Sequence, residues 1–306
     1  MPKDTVNIFE AASLLQLSTG VWQATKMLND SEVRVLADPE WVRAKKHLVD
    51  QEWLLGPKQA INAARKYIKM MALPFPVIGL VMVSKDAISS IDDRLLQKQD
   101  EFFSQVRRIA LNYPRAREEA RQYLEPRGLY NVEDYPDDII PLYRFRWRYI
   151  DITVPAKLQQ VAPQVYARQV AEFEALMKEA QELAIASLYE EIADLVGNMV
   201  DRLGTSEEDG KPKKFKDSLV GNFTQFFENF QTRNIFDNPK LTEIVEQAKR
   251  TLNGVTPDGL RQFPDFRQKI KSQMESVKQA IDEAVVDMPR RKFKLDPEKM
   301  AAQRGP

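Results

Sequence analysis

The stretch YRFRWRYIDITVP, beginning at Tyr143, concentrates more recognition chemistry than any other part of the chain. Tyr143, Phe145, Trp147 and Tyr149 alternate with Arg144, Arg146 and Arg148, the period of two that sends successive side chains of a strand to opposite faces. Aromatic side chains exposed on a strand and flanked by cations are how several modules stack single-stranded bases. The competing reading is an amphipathic strand whose rings pack on helices while its arginines meet water or the acidic loop before it. The second reading is favoured, because the chain lacks the four-stranded framework and the net positive charge that such modules usually show. After Tyr149 the apolar parity switches to Ile150, Ile152 and Val154. That switch requires either a bulge near Tyr149 or burial of both faces in the strand's second half.

Other residues carry weaker chemistry. Phe215, Leu219, Phe223, Phe226 and Phe230 form an aromatic stripe, which is either core against a long helix or an exposed face that fills a groove on a partner protein. Arg290, Arg291 and Lys292, with Lys294, offer phosphate or an acidic partner a basic arm. His47, three residues from Asp50 and four from Gln51, has the helical spacing of a proton shuttle, but no nucleophile accompanies it, so it reads as an ordinary helical histidine. The acidic run Glu133-Asp134-Tyr135-Pro136-Asp137-Asp138 has carboxylates enough for calcium or magnesium, yet it lacks the glycine and the alternating spacing of a calcium loop and reads as solvated. GTSEEDGK, Gly204 to Lys211, departs from a phosphate-binding loop in having five residues between its glycines and Pro212 where a Ser or Thr should hold magnesium. It reads as a hairpin turn. No catalytic, cofactor-binding or metal-ligating residue is assigned, and no cofactor is expected.

Composition narrows the field in the same direction. Across 306 residues, 45 Lys and Arg balance 45 Asp and Glu, so no global field draws the chain onto nucleic acid or anionic lipid. With no cysteine and one histidine, disulfide scaffolds, thiolate zinc sites, cysteine nucleophiles and multi-histidine metal centres are excluded. A Ser-His-Asp triad would have to use His47. The amino end shows no signal-peptide pattern, and the most apolar run, Val77 to Val83, is seven residues against the roughly 20 that span a bilayer. A cytoplasmic, non-enzymatic protein without membrane contact is the expectation.

The elements that would position these residues are mostly helical. Residues 1–30 read as a strand or bent segment leading into a helix. Pro39, capped by Asp38, opens a helix bearing Trp41, Val42, Lys45 and Leu48, and Pro57 opens another with Ile61, Ala64, Tyr67, Ile68 and Met71 on one face. Val77 to Val83 reads as a strand. From Ser84 and Asp86 a helix carries Ile88, Ile91, Leu95, Phe102, Val106 and Ile109 in a coiled-coil-like seam; Pro114 ends or kinks it, a short helix reaches Leu124, and residues 125–141 form a loop. The Tyr143 strand should pair with Val77 to Val83 in a small β head. A helix to Leu203, with Pro163 in its first turn, keeps its seam from Tyr166 through Met177, Ala184 and Ile192 to Met199. The phenylalanine helix returns, Asn238-Pro239 starts a helix with Leu241, Ile244, Val245, Ala248 and Leu252, Gly254 stops it, and Phe266, Ile270, Met274, Val277, Ile281 and Val285 mark the last helix. The final 18 residues, with six basic and two acidic side chains, are expected to be disordered. The fold class is therefore mainly α, with long antiparallel coiled-coil-like helices and a small β head. Its regions are a mixed part (1–154), a helical hairpin (155–254), and a last helix with a basic tail (255–306). Such seams are satisfied within one chain or between copies, so homo-oligomerisation stays open.

PFPVIGLVMVSKDAI from Pro74 to Ile88, the long charged helix, YPDDI, RFRWRYIDITVP and the long helix with VAPQVY, in that order, resemble a bacterial and phage family of unknown function. The likeness covers roughly residues 14–254 and rests on the order of segments. Genes of that family commonly lie beside those of a MoxR-type AAA+ ATPase and a von Willebrand factor A protein. The resemblance implies those two proteins as partners, an adaptor or accessory role, and a setting in a bacterial cell or phage-infected host. It implies no catalytic residues. Single-stranded nucleic acid binding through the arginine-aromatic strand and the basic tail is the alternative.

Overall fold

In a computed structural model, residues 8–34, 38, 40–206 and 211–286 are described. The elements in chain order are α1 (Ile8–Ala11), β1 (Ala12–Gly20), β2 (Thr25–Met27), α2 (Asp30–Arg34), β3 (Lys45–His47), α3 (Leu55–Met71), β4 (Leu73–Pro74), β5 (Val81–Ser84), α4 (Ile88–Leu124), β6 (Arg144–Ile150), α5 (Leu158–Val161), α6 (Pro163–Leu203), α7 (Ser218–Arg233), α8 (Pro239–Leu252), α9 (Pro257–Gln262) and α10 (Pro264–Val286). The fold is mainly helical with long helices and a small antiparallel sheet. The chain divides into two compact units, Met1–Ser187 with Asn229–Phe236, and Leu188–Glu228 with Asp237–Pro306.

In the first unit a four-stranded antiparallel sheet, ordered β4-β5-β1-β6, packs on the α3–α4 pair. The Ser84 hydroxyl accepts from Asp86 N at 3.3 Å and starts the turn that leads into α4. Ile91, Leu95, Phe102, Val106 and Ile109 are buried along that helix, as their three-four spacing requires. Pro114 neither ends nor divides it: proline stands on the exposed side, and Tyr113 and Ala116 carry the packed face past it. Helix α3 runs antiparallel to α4, with Gly56 against Gln105 at one end and the Tyr67 hydroxyl near Ser90 O at the other.

Four expectations change here. The strand at Val77 to Val83 shrinks to Val81–Ser84, because Gly79, at φ 83°, turns the chain beforehand. It does not pair with β6; β1 lies between them, pairing Leu15 with Val81 on one side and with Tyr149 on the other. No helix carries Trp41, Val42, Lys45 and Leu48: Trp41 is exposed, Lys45–His47 is a strand paired with Thr25–Met27, and Pro39 lies outside the described residues. The residues after β1 form the β2–β3 hairpin and the five-residue α2 in place of a longer helix.

The β1–β6 register runs unbroken from Gly20↔Arg144 to Leu14↔Ile150, so no bulge explains the parity switch after Tyr149. Ile150 faces the same side as Leu14, and there Leu14, Met82 and Leu73 are fully buried. The sheet is covered on both faces at that corner. Helix α6 starts at Pro163 as expected, but its seam is uneven: no residue from 163 to 176 is buried, whereas Met177, Ala180, Ala184, Leu188, Ile192 and Met199 are.

In the second unit, the Asn238 side chain accepts from Leu241 N at 2.9 Å, Pro239 occupies the first helical position, and all five expected positions of α8 are buried. Gly254, at φ 71°, turns the chain away. Thr256 then caps the short α9, its hydroxyl accepting from Gly259 N at 3.1 Å. In α10, Ile270, Met274, Val277 and Ile281 are buried against neighbours that include α8, and the stripe ends on Ala284, with Val285 exposed. Backbone bonds between Ser206 and Lys211 and between Lys213 and Gly204 close the expected hairpin turn after α6; residues 207–210 lie outside the described residues. Among the described residues no helix is long and apolar enough to cross a membrane.

Candidate interaction surface

Helix α4 decides which face of β6 turns inward. Phe145 is fully buried, its ring 5.5 Å from that of Phe102, and its carbonyl accepts from the Gln99 side chain at 2.8 Å. Trp147, half-buried, donates Nε1–H to Asp92 Oδ1 at 2.6 Å, and the Tyr149 hydroxyl reaches Ile88 O at 3.4 Å. Tyr143 is buried with its ring 6.1 Å from Phe102. Burial drives the Tyr143 and Tyr149 hydroxyls up to about 12, since a phenolate there would be poorly solvated. Base stacking needs free π-faces, and these rings are packed or anchored by their polar tips. The reading of Phe145, Trp147 and Tyr149 as an exposed stacking platform is thereby corrected.

The opposite face of β6 is the one that remains available. Arg144, Arg146 and Arg148 are exposed there, and directly opposite on β1 stand Gly20, Ser18 and Gln16. Arg148 Nε donates to Gln16 Oε1 at 2.7 Å. No ion pair or hydrogen bond engages the Arg144 or Arg146 side chain among the described residues. Successive arginines on one face of a strand lie about 6.8 Å apart, close enough to act as one cationic row.

The other candidates fall differently. Phe223, Phe226 and Phe230 are buried, which makes the α7 stripe core and not a face presented to a groove. Arg290, Arg291 and Lys292 lie outside the described residues. His47 is exposed on β3, opposite Thr25, and not on a helix with Asp50, whose carboxylate caps the turn at Gln51–Leu54. Among the described residues no group of three or more His, Cys, Asp or Glu side chains is arranged to hold a metal ion.

The acidic run before β6 is engaged by a lysine that sequence reasoning passed over. Lys46 is buried on β3, and its ammonium lies 2.9 Å from Asp134 Oδ2, 3.5 Å from Glu32 Oε1 and 2.6 Å from Leu129 O. Lys26 adds a longer contact, 3.6 Å, to the same Asp134. Asp134 thus ties the β2–β3 hairpin to the segment preceding β6. Nothing in the Lys45-Lys46-His47 sequence marks its middle residue as buried; only period-two alternation, with neighbours exposed, distinguishes it afterwards. Compared with protein-family models, curated proteins and solved structures, the chain matches none.

Proposed function

We propose that this protein acts by holding partners, as a non-enzymatic adaptor whose contact surface is the arginine row of β6. The observation that carries the reading is the state of those cations: Arg144 and Arg146 are exposed without an ion-pair partner among the described residues, on a strand fixed from behind by Phe145 and Trp147. A rigid, uncompensated row of guanidinium groups suits an acidic protein surface, which it would steer and orient. The resemblance supplies the partner, a MoxR-type AAA+ ATPase, with a von Willebrand factor A protein as the third component.

The test is capture of the cognate ATPase by the full chain, together with its ATP hydrolysis rate. Wild type should bind the ATPase or change its rate, and Arg144→Glu/Arg146→Glu should lose that effect, since opposed like charges are costly at an interface. No capture and no change in hydrolysis with wild type would sink the ATPase reading. Single-stranded DNA binding that weakens steeply with salt, and that the double variant abolishes, would transfer the same row to nucleic acid.

A further inference from the structure

A second set of unneutralised cations lies in the second unit, between the last turns of α6 and the start of α7. There a surface pocket of about 410 Å³ is bordered by Arg202 from α6 and by Lys214 and Lys216 from the segment leading into α7. Lys214 and Lys216 have no ion-pair partner among the described residues. The carboxylate near Arg202 is Asp201, at 3.9 Å, and Asp201 is held by Lys213 at 2.6 Å, which keeps its carboxyl below the usual range. The remaining polar lining, Asn198, Ser218 and Asn222, is neutral, and among the described residues no carboxylate lines the pocket.

The segment that carries the two lysines is fastened from its other side. Arg267 donates to Leu203 O at 2.9 Å, to Arg202 O and Lys213 O at 2.8 Å each, and to Gly204 O at 3.2 Å. One guanidinium thus satisfies carbonyls at the end of α6 and binds them to the segment that follows. Arg261 donates to Phe215 O at 3.3 Å and pairs with Asp217, and both arginines lie over the Phe215 ring, at 5.1 and 5.4 Å. Asp217 is thereby occupied by α9, and Phe215, which also lines the pocket, is held by α9 and α10 between Lys214 and Lys216. The backbone that carries the lysines is already held, so binding an anion orders only their side chains.

We propose that this pocket takes the phosphate group of a small phosphorylated ligand. Three cations of one sign around a single concavity match a compact, multiply charged oxyanion, and the volume falls in the range of small-molecule sites. A nucleic acid strand would need such contacts repeated along a track.

The experiment is equilibrium binding of pyrophosphate and of AMP to the full chain, set beside a short oligodeoxythymidine and beside sodium chloride at matched ionic strength. Pyrophosphate and AMP should bind saturably, and Lys214→Ala/Lys216→Ala should weaken both by roughly tenfold or more. Arg202→Gln should weaken them less, and Lys66→Ala, at an exposed cation on α3, should leave them unchanged. Circular dichroism of each variant should match wild type, because the substituted side chains are exposed. Absence of saturable binding, binding reproduced by chloride, or binding indifferent to the lysine substitutions would each overturn the site. Oligodeoxythymidine bound through Lys214 and Lys216 while AMP and pyrophosphate are not would overturn the small ligand in favour of a strand.

Discussion

The β2–β3 hairpin and strand β6 both carry cations, and the first unit treats them in opposite ways. Lys46 is taken out of water and immediately surrounded by Asp134, Glu32 and the Leu129 carbonyl. Arg144 and Arg146 stay in water and receive no partner among the described residues. A buried charge must be paired, because desolvation costs several kcal/mol, whereas an exposed one stays solvated without a partner. The pairing of Lys46 is therefore accounted for by folding alone. The unpaired row is not required by folding, and that difference makes it the better candidate for recognition. Tyrosines mark a third case: buried Tyr113, Tyr135 and Tyr143 and half-buried Tyr149 sit where charge is disfavoured, each hydroxyl pushed to about 12 chiefly by burial.

The largest effect should follow from forcing charge onto that third class. A tyrosine whose folded value exceeds its unfolded value near 10 binds its proton more tightly when folded, so its contribution is complete below pH 10 and is lost as the pH climbs towards 12. With four such groups, the denaturant midpoint should fall steeply between about pH 10 and pH 12. The share of tyrosinate absorbance that comes from these four groups should rise together with unfolding in that window. A midpoint flat to pH 12 would show that these hydroxyls are better solvated than their burial implies.

Next in size is the hairpin cation. Lys46→Ala leaves Asp134 with only the longer Lys26 contact and removes the cation from Glu32, and breaking a buried pair costs about 3–5 kcal/mol. Replacing the ion pair jointly, as Lys46→Met/Asp134→Leu, should recover much of that loss, since an apolar pair of similar volume avoids the desolvation cost. Chemical denaturation of the two variants separates the cases. Equal losses in both would mean that the pair contributes more than neutralisation.

A smaller effect is expected on the inner face of β6. Trp147→Phe keeps most of the ring and removes the 2.6 Å hydrogen bond to Asp92, at a cost of about 1.5 kcal/mol for a bond to a charged acceptor. Asp92→Asn should cost less, because an amide oxygen still accepts. If Trp147→Phe were neutral, the ring would be fixed by packing alone, and the rigidity attributed to the arginine row would rest on Phe145.

How far these features could be read in advance depended on whether the determining contacts were local. Leu241, Ile244, Val245, Ala248 and Leu252 follow a helical period directly after an Asn-Pro start, and all five are buried in α8. The same holds for Ile91 to Ile109 in α4. Strand β1 was obscured because Leu14 and Leu15 are both buried, on opposite faces, so no alternation separates strand from helix. The β2–β3 hairpin was missed because Thr25-Lys26-Met27 and Lys45-Lys46-His47 contain few strand formers, and the Lys46 contact that fastens it reaches Asp134, far along the chain. Likewise the alternation at Tyr143–Tyr149 was legible, but the direction it faces is set by Gln99, Phe102 and Asp92 of α4.

The smallest change in stability should come from the residues with the largest proposed functional effect. Arg144→Glu/Arg146→Glu replaces two exposed, unpaired side chains, opposite Gly20 and Ser18, and should shift the denaturation free energy by no more than about 0.5 kcal/mol for each. The same variant reverses the row from two positive charges to two negative ones, so binding to an acidic partner should fall by more than an order of magnitude, mostly through a slower on-rate at low salt. Raising the ionic strength should narrow the gap between wild type and variant. Loss of stability comparable to Lys46→Ala would instead mean that the row belongs to the folding balance, and the distinction between the paired and the unpaired cations would disappear.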